Sequence, residues 1–252
     1  MKAPTSRREL HTKIDSLSQQ GVDVVTGVVD AILSPAHTQL LPDSWLTTPS
    51  WAEGFLARLR AHHALSREPL STTQFEAAFE SACESAGWTV GSSASATQRF
   101  FDTTITLPGE QPKRISLKAS SATGMNINWI HISKLTEAAW IQDTRIQTKR
   151  RDKIVELFKE YREITDCIIM LRGFKSDNAV DYELIEIPTS LFDAVDHLDT
   201  ATAQLSTIPI PVNIKPPHLK IRVDRSDSKI TLTGIQVDIC AVHGRWKLEA
   251  QH

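Results

Sequence analysis

An aspartate and a lysine interrupt a segment that otherwise has the composition of two short strands. The segment RFFDTTITLPGEQPKRISLKAS covers residues 99–120, with Asp102 near its beginning, Lys118 near its end and a Pro-Gly turn between them. Strand interiors usually avoid both residue types. Metal-dependent phosphodiester hydrolysis requires a carboxylate to hold the metal and a cation beside the attacking water or the phosphate. The pair therefore predicts either such a site or the two exposed faces of a hairpin at a sheet edge.

The alternation of side chains along the second strand predicts where Lys118 points. Successive strand residues face opposite sides of a sheet. Ile115 and Leu117 share one side, where we expect the core, and Ser116 and Lys118 share the other. Lys118 is therefore expected on the more polar side of the sheet, within reach of Asp102.

A second carboxylate is expected in the segment that follows, because one carboxylate is seldom enough to hold Mg²⁺, which prefers oxygen ligands. The pattern from Lys134 to about residue 163 predicts a long helix, with Glu137 in its first turns. The positive end of a helix dipole also favours a nearby phosphate. A glutamate in a first turn is equally common for a structural reason, because it complements that dipole.

The helix predicted before the hairpin offers further acids. In TTQFEAAFESACESAGW (residues 72–88), Phe75 and Phe79 belong to an apolar stripe, and Glu76, Glu80 and Glu84 form a second stripe at helical spacing. Three acids on one stripe are typical of a solvated face. The alternative is that Glu76, or Glu80 one turn further on, binds the metal.

The order of the predicted elements favours a mixed α/β fold with a central sheet flanked by helices. Residues 1–70 are predicted to form a helical N-terminal region, and residues 71–252 a domain that contains the sheet. Helices are predicted at residues 8–34, with an interruption at Gly21, and at 50–63, and strands at 166–174, 181–188, 219–223 and 230–239.

The segments FDTTI, RISLKAS and SKLTEAAWIQD, in this order, resemble the PD-(D/E)XK nuclease fold and, within it, type II restriction endonucleases. The helix, hairpin, helix and strand of residues 75–171 match the plan of that core. The resemblance implies that Asp102 binds metal and that Lys118 is catalytic. Ser116 replaces the middle acid of the motif and would shape the site. Some family members with Ser-x-Lys take the missing carboxylate from the next helix, which implies Glu137 here.

Several functional expectations come from this resemblance rather than from the residue pattern. It implies a Mg²⁺-dependent, sequence-specific endonuclease for double-stranded DNA that acts as a homodimer. The glutamate that family members often carry on the helix before the hairpin corresponds to Glu76. Two alternatives remain: a structure-selective or repair nuclease on the same core, and a non-catalytic DNA-binding module in which Asp102 and Lys118 form only a salt bridge.

The charge distribution predicts a basic surface although the net charge is −2. Residues 113–175 carry 13 basic and 7 acidic side chains, which gives them a net charge of +6. Lys149, Arg150 and Arg151 gather at one level of the amphipathic pattern at residues 144–162. Such a cluster predicts contacts to DNA phosphates, which position DNA without reading its sequence. A solvated helix face is the other interpretation.

The predicted hairpin KIRVDRSDSKITL (residues 220–232) near the C-terminus concentrates donors and acceptors around one turn. Its charged residues are Lys220, Arg222, Asp224, Arg225, Asp227 and Lys229. Arginine can bind guanine through two hydrogen bonds, aspartate can accept from cytosine, and a β-ribbon can enter the major groove. The hairpin is therefore predicted to recognise DNA, unless the charges only pair with one another at the tip.

Cysteine usage and hydropathy predict a cytoplasmic protein without a membrane partner. Cys83, Cys167 and Cys240 form no CxxC pair and no zinc-binding spacing, which suits a reducing compartment. No run of about 18 apolar residues is present. The N-terminus also lacks the apolar segment of a signal peptide.

Overall fold

The computed structural model describes residues 6–92, 100–122, 124–143 and 147–249. The α-helices within these ranges are Arg7–Asp15 (α1), Gln19–Leu33 (α2), Pro49–His63 (α3), Thr72–Ser85 (α4), Trp140–Asp143 (α5) and Gln147–Ile164 (α6). The strands are Ala36–Leu40 (β1), Thr89–Ser92 (β2), Thr103–Thr106 (β3), Lys113–Ser120 (β4), Trp129–Glu137 (β5), Cys167–Lys175 (β6), Ala179–Pro188 (β7), Thr207–Ile210 (β8), Leu219–Asp224 (β9), Lys229–Gln236 (β10) and Ala241–Glu249 (β11). Three 3₁₀ helices span Thr189–His197, Thr202–Gln204 and Val237–Ile239. None of the described helices is both long and apolar enough to cross a membrane.

The strands form two sheets. The larger sheet has seven strands in the order β1-β11-β7-β6-β4-β3-β2, and its only parallel pair among these strands is β4 with β6. The smaller sheet has four antiparallel strands in the order β5-β10-β9-β8. The predicted fold class, a mixed α/β protein with a central mixed sheet flanked by helices, is thereby confirmed.

Alternation along β4 and β6 divides the core between the two faces of the larger sheet. Ile115 and Leu117 pack with α3 and α4 on one face. Ile168 and Met170 pack with α6 and the smaller sheet on the other face. Ser116 and Lys118 point to this second face, opposite Ile115 and Leu117, as the sequence predicts. The expectation that this face is the polar side of the sheet is wrong, because it carries a core of its own.

Part of the N-terminal 70 residues, mainly α3, shares the core of the larger sheet. Trp51 and Phe55 of α3 stack at 4.8 Å, and Phe55 lies edge-on to Trp246 of β11 at 5.2 Å. β1 is the edge strand of the sheet and pairs with β11, with Ala36 opposite Leu248. The boundary between two regions at residue 70 stays a prediction. Side chains from both sides of this boundary pack together in one core.

The prediction of a helix from Lys134 to residue 163 is wrong for its first part. Residues 129–137 form β5, with Ile130 and Ile132 buried against β10, and α6 begins only at Gln147. The interruption expected at Gly21 instead lies at residues 16–18, where Ser18 caps α2. The hairpin at residues 219–236 forms as β9 and β10, but β11 follows it and returns to the larger sheet.

A buried arginine joins the two sheets. Arg172 of β6 is 1% exposed, and its Nη1 donates to Glu183 Oε2 at 2.9 Å and to the Ile127 carbonyl at 3.0 Å. Its Nη2 donates to the Asn126 carbonyl, just before β5, and the guanidinium lies 4.8 Å from the Phe174 ring centroid. The buried charge is thus paired and hydrogen-bonded, as a charge in a protein interior must be.

We expect Arg172→Met to lower the free energy of unfolding by about 3 kcal/mol or more, because it removes one partner of a buried ion pair and leaves the buried Glu183 carboxylate less compensated. Urea denaturation measures this change. Arg245→Met is the matched control: Arg245 binds the same Glu183 but is half exposed, so its loss should amount to about 1 kcal/mol or less. Equal losses for the two variants would contradict a structural role specific to Arg172.

Candidate active site

A cleft of about 1120 Å³ lies between the start of α4, the β3–β4 hairpin and β5. It is lined by Glu76 of α4, Asp102 just before β3, Lys118 of β4 and Glu137 at the end of β5. Residues far apart in the sequence are thus brought to one cavity. All four were candidates on sequence grounds alone.

Asp102 is fixed to β4 by hydrogen bonds at both its backbone and its side chain. Its N–H donates to the Ile115 carbonyl at 2.9 Å, and its Oδ2 accepts from the Leu117 N–H at 2.6 Å. The same Oδ2 accepts from Lys118 Nζ at 3.2 Å and from Ser116 Oγ at 3.3 Å. Every hydrogen bond that the described residues make to this carboxylate ends on Oδ2, so Oδ1 is left for a ligand in the cleft.

Lys118 lies in the interior of the sheet rather than on an edge hairpin. β4 is flanked by β3 and β6, and Lys118 is in register with Met170. Its side chain is 18% exposed, and Nζ also donates to the Leu117 carbonyl at 3.1 Å. The interpretation of Asp102 and Lys118 as two faces of an edge hairpin is therefore wrong. They form one contact pair at the base of the cleft.

Ser116 occupies the position of the missing acid and lies beneath the cleft. Its side chain is buried, and its hydroxyl donates to Asp102. Burial raises the pKa of the neighbouring Tyr161 phenol. Ser116 therefore holds the Asp102 carboxylate in place and adds no charge of its own.

Glu76 is the carboxylate that interacts electrostatically with Asp102. Burial raises the pKa of Glu76, the charge of Asp102 raises it further, and Lys118 partly offsets the shift. Glu80, the alternative candidate one turn further along α4, is a weaker contributor to the same shift. A carboxylate pair that raises the pKa of one member is an arrangement that a bound cation stabilises.

Glu137 lines the same cleft but in a different setting from the one expected. It lies at the end of β5 and not in the first turn of a helix, so no helix dipole acts on it. Its side chain is exposed and bonds to Lys134, which lowers the pKa of the Glu137 carboxyl. Its role as a metal ligand stays a prediction.

The donor set at the cleft fits a hard divalent cation that keeps part of its water shell. Asp102 Oδ1 and the Glu76 carboxylate are oxygen donors, and Mg²⁺ is often held by one or two carboxylates together with water and phosphate oxygens. Among the described residues, no three His, Cys, Asp or Glu side chains stand close enough to hold a metal by themselves. A divalent cation bound here by Asp102 and Glu76 would therefore complete its coordination with water or phosphate oxygens.

The arginines predicted to bind DNA meet at a second cavity. Arg150 of α6 and Arg222 and Arg225 of the β9–β10 hairpin line about 420 Å³ of space, and Trp140 lines both this cavity and the cleft. Burial lowers the pKa of Arg150, and the positive charge of Arg225 lowers it further. Cations that repel one another around a cavity favour an anionic ligand there.

The other predicted DNA contacts are partly engaged within the chain. Arg151 donates to the carbonyls of Leu198 and Asp196, so it anchors α6 to the 3₁₀ helix at Thr189–His197. Lys229 pairs with Asp227 at the hairpin tip, and Asp224 accepts from Ser226. Lys149 is exposed. The DNA-binding roles of all these residues stay predictions.

Two aromatic residues of the cleft had no functional role in the sequence analysis. His131 of β5 lines the cleft with an exposed side chain, and Trp140 of α5 lies where the cleft meets the arginine cavity. The sequence signal that could have identified His131 is its alternation with Ile130 and Ile132. Because those two side chains are buried, His131 points to the opposite, exposed side of β5.

Comparisons with known proteins identify the family of the chain. The SmaI family, described as type II site-specific deoxyribonuclease, matches residues 10–248 of the chain. The type II restriction enzyme SmaI of Serratia marcescens is 27% identical over 206 residues, which cover 75% of this chain and 76% of the relative. No solved structure matches the chain.

We expect Glu76→Gln to raise the thermal midpoint of the metal-free protein at neutral pH. The folded state raises the pKa of this carboxyl, so its ionised form destabilises the fold once the pH exceeds the unfolded value. The difference between variant and parent should vanish below about pH 3, where the carboxyl is protonated in both the folded and the unfolded state. Differential scanning calorimetry in chelator tests this.

Glu137→Gln is the control with the opposite sign. The pKa of Glu137 is lowered, so its ionised form contributes stability above the unfolded pKa, and this stability is lost as the pH falls. Glu137→Gln should therefore either leave the thermal midpoint at neutral pH unchanged or lower it. A destabilising effect of Glu76→Gln at neutral pH would contradict the proposed strain at Glu76.

Proposed function

The chain belongs to the SmaI family of type II site-specific deoxyribonucleases, and from this premise we propose that the cleft around Asp102 and Lys118 is its active site. The protein is a sequence-specific restriction endonuclease, a hydrolase that acts on double-stranded DNA. The repair nuclease and the non-catalytic module considered from the sequence are not the function of this family.

One observation carries the assignment of the site. Asp102 and Lys118 are held side by side by the Leu117 N–H on an interior strand, with Glu76 facing them across the cleft. A fixed ammonium at this place stabilises the charge that develops on the phosphate during attack by water, and orients that water. Rigid placement matters because the rate enhancement that a positioned group provides falls steeply when that group is displaced by a small distance.

Type II restriction enzymes generally use divalent metal ions, and we assign Mg²⁺ to this site. Asp102 and Glu76 would hold it. Asp102 offers Oδ1 as a ligand. When no cation is bound, the negative charge of Asp102 destabilises the ionised form of Glu76. When bound, Mg²⁺ supplies Lewis acidity for the phosphate and a lowered pKa for a water ligand. Glu137 is the second candidate, but it would first have to leave Lys134.

The DNA is proposed to extend from the cleft past Trp140 to the arginine cavity. Arg150, Arg222 and Arg225 suit a backbone phosphate there, and the exposed tip of the β9–β10 hairpin presents groups that can reach base edges. We also propose that two copies act together, because cutting both strands at one site takes two clefts. A cytoplasmic location stays a prediction.

Lys118→Ala should lower the rate of plasmid cleavage by at least about a hundredfold, because the transition state loses its nearest cation. DNA binding, measured in Ca²⁺ or chelator, should change little, because the backbone contacts lie elsewhere. Lys134→Ala is the matched control: it removes a lysine from the same cleft, but one that is exposed and paired with Glu137. Equal losses of cleavage for the two variants would show that Lys118 acts only through general charge.

The two candidate acids are separated by Glu76→Gln and Glu137→Gln. We expect Glu76→Gln to weaken Mg²⁺ binding and to lower cleavage by about a hundredfold or more, since the site loses one of two charged ligands. Glu137→Gln should change both much less. Titration calorimetry with Mg²⁺ gives a measurement independent of activity. The reverse ranking would assign the ligand to Glu137 and remove Glu76 from the site.

A further inference from the structure

Tyr161 of α6 carries a buried phenol hydroxyl without a hydrogen-bond partner. The side chain is fully buried, and its Oη makes no hydrogen bond to any of the described residues. A phenol can both donate and accept a hydrogen bond, and buried polar groups without a partner are rare in folded proteins. Packing of the ring therefore accounts for the aromatic side chain but not for its hydroxyl.

The phenol lies beneath the cleft, beside the serine that contacts Asp102. Ser116 points to the face of the larger sheet on which α6 packs, and its neighbour in register, Ile168, belongs with Tyr161 to one buried cluster. Burial raises the pKa of Tyr161, the adjacent Ser116 opposes this rise, and the negative charge of Asp102 adds to it. The packing and these influences together place the hydroxyl close to Ser116 and to the Asp102 carboxylate.

The contact between Ser116 and Asp102 is long. Ser116 Oγ donates to Asp102 Oδ2 at 3.3 Å, whereas O–H···O hydrogen bonds usually measure about 2.5 to 3.0 Å. Because its single hydrogen is directed to Asp102, the lone pairs of Ser116 Oγ can accept from a donor on the other side. Donation by Tyr161 would link three oxygens in the order Tyr161, Ser116, Asp102.

The same helix also holds the backbone that leads to Asp102. Phe100, two residues before Asp102, has a φ of +80°, which residues other than glycine rarely adopt and which occurs mainly at functional sites. The Tyr161 ring lies edge-on to the Phe100 ring at 5.3 Å, and Thr165 Oγ donates to the Phe100 carbonyl at 3.0 Å. α6 therefore restrains the strained segment that positions Asp102.

We propose that Tyr161 is a positioning residue for the metal site: its phenol donates to Ser116 Oγ when a divalent cation is bound at Asp102, and Ser116 then fixes the carboxylate. The inference rests on the proposed function, which puts Mg²⁺ at Asp102 and Glu76. In the metal-free protein the chain of hydroxyls is open, because the Ser116 contact is long and Tyr161 has no partner among the described residues.

Closing this chain only in the metal-bound state makes the Tyr161 hydroxyl contribute to metal affinity. A cation on Oδ1 holds the Asp102 carboxylate in one orientation, so Ser116 can donate to it and accept from Tyr161 at the same time. A hydrogen bond that forms in only one of two states shifts the equilibrium toward that state. Partners of metal ligands generally act in this way.

Tyr161→Phe tests the proposal, because it removes the hydroxyl and keeps the ring that packs against Phe100 and Phe192. In chelator the thermal midpoint of the variant should equal or exceed that of the parent, since the change deletes a buried polar group without a partner. Titration calorimetry should find the dissociation constant for Mg²⁺ raised by about tenfold or more. A lower midpoint in chelator would show that the hydroxyl is already paired without metal and would overturn the proposed closure.

Cleavage of plasmid DNA distinguishes positioning from direct participation in the reaction. The Mg²⁺ concentration that gives half of the maximal rate should rise by about tenfold for Tyr161→Phe. The rate at saturating Mg²⁺ should change by less than about threefold, because the buried phenol contacts neither DNA nor the attacking water. A large loss of rate that saturating Mg²⁺ does not restore would contradict an action through metal affinity.

Tyr182→Phe is the matched control, since Tyr182 is the other tyrosine of the chain and is also buried. Its hydroxyl is hydrogen-bonded to His63 Nε2 at 2.8 Å and accepts from the Leu70 N–H at 3.0 Å, and none of these residues lines the cleft. Its removal should lower the thermal midpoint in chelator and leave the dissociation constant for Mg²⁺ unchanged. The two losses of a hydroxyl therefore have opposite signatures.

A double-mutant cycle tests whether Tyr161 acts through Ser116. Ser116→Ala removes the middle of the chain, so the addition of Tyr161→Phe should weaken Mg²⁺ binding no further. Losses of affinity that multiply in the double variant would overturn the connection through Ser116.

The outcomes separate this inference from the proposed function. If the parent binds no Mg²⁺ and cleaves DNA without it, the proposed metal site fails and this inference fails with it. If the parent binds Mg²⁺ and Tyr161→Phe binds it equally well, only the role of Tyr161 is overturned. Weaker Mg²⁺ binding by Tyr161→Phe, with an undiminished midpoint in chelator, supports the role.

Discussion

The placement of the two sheets depends on one buried guanidinium. Arg172 projects from the centre of the larger sheet and binds the backbone carbonyls of the segment that leads into β5, the first strand of the smaller sheet. A buried arginine is tolerated only with an ion-pair partner and acceptors for its donors, which Glu183 and these carbonyls supply. Because β5 forms one wall of the cleft and β4 its base, this contact also ties the two sides of the cleft together.

Asp102 and Lys118, the proposed catalytic pair, are fixed because both side chains are hydrogen-bonded to a strand in the middle of the larger sheet. The Leu117 N–H and the Ser116 hydroxyl orient the Asp102 carboxylate, and the neighbouring strands restrain Lys118. A serine in the usual position of an acid reduces the negative charge under the cleft. Glu76 of α4 brings a carboxylate to the cleft, where burial and the charge of Asp102 raise its pKa and so disfavour its ionised form.

In the proposed complex with DNA, the smaller sheet would separate the contacts that hold DNA from the groups that cut it. Its strand β5 faces the cleft, while its β9–β10 hairpin and α6 surround the cavity with Arg150, Arg222 and Arg225. Trp140 lies between the two spaces. DNA held at the arginine cavity would pass Trp140 before it reaches Lys118, so binding and hydrolysis would use different side chains of one continuous surface.

The sequence by itself determined the features that depend on local periodicity and on chemistry within short segments. Alternation in residues 113–120 placed Lys118 and Ser116 on one side, helical spacing identified α4 with Glu76, and the motif paired Asp102 with Lys118. The tertiary structure alone decided that Glu137 ends a strand and that Arg172 holds β5. β5 is a strand because β10, about ninety residues later, covers its buried side chains and completes its hydrogen bonds. Local propensity contains no information about such a distant partner, so only the folded chain could show it.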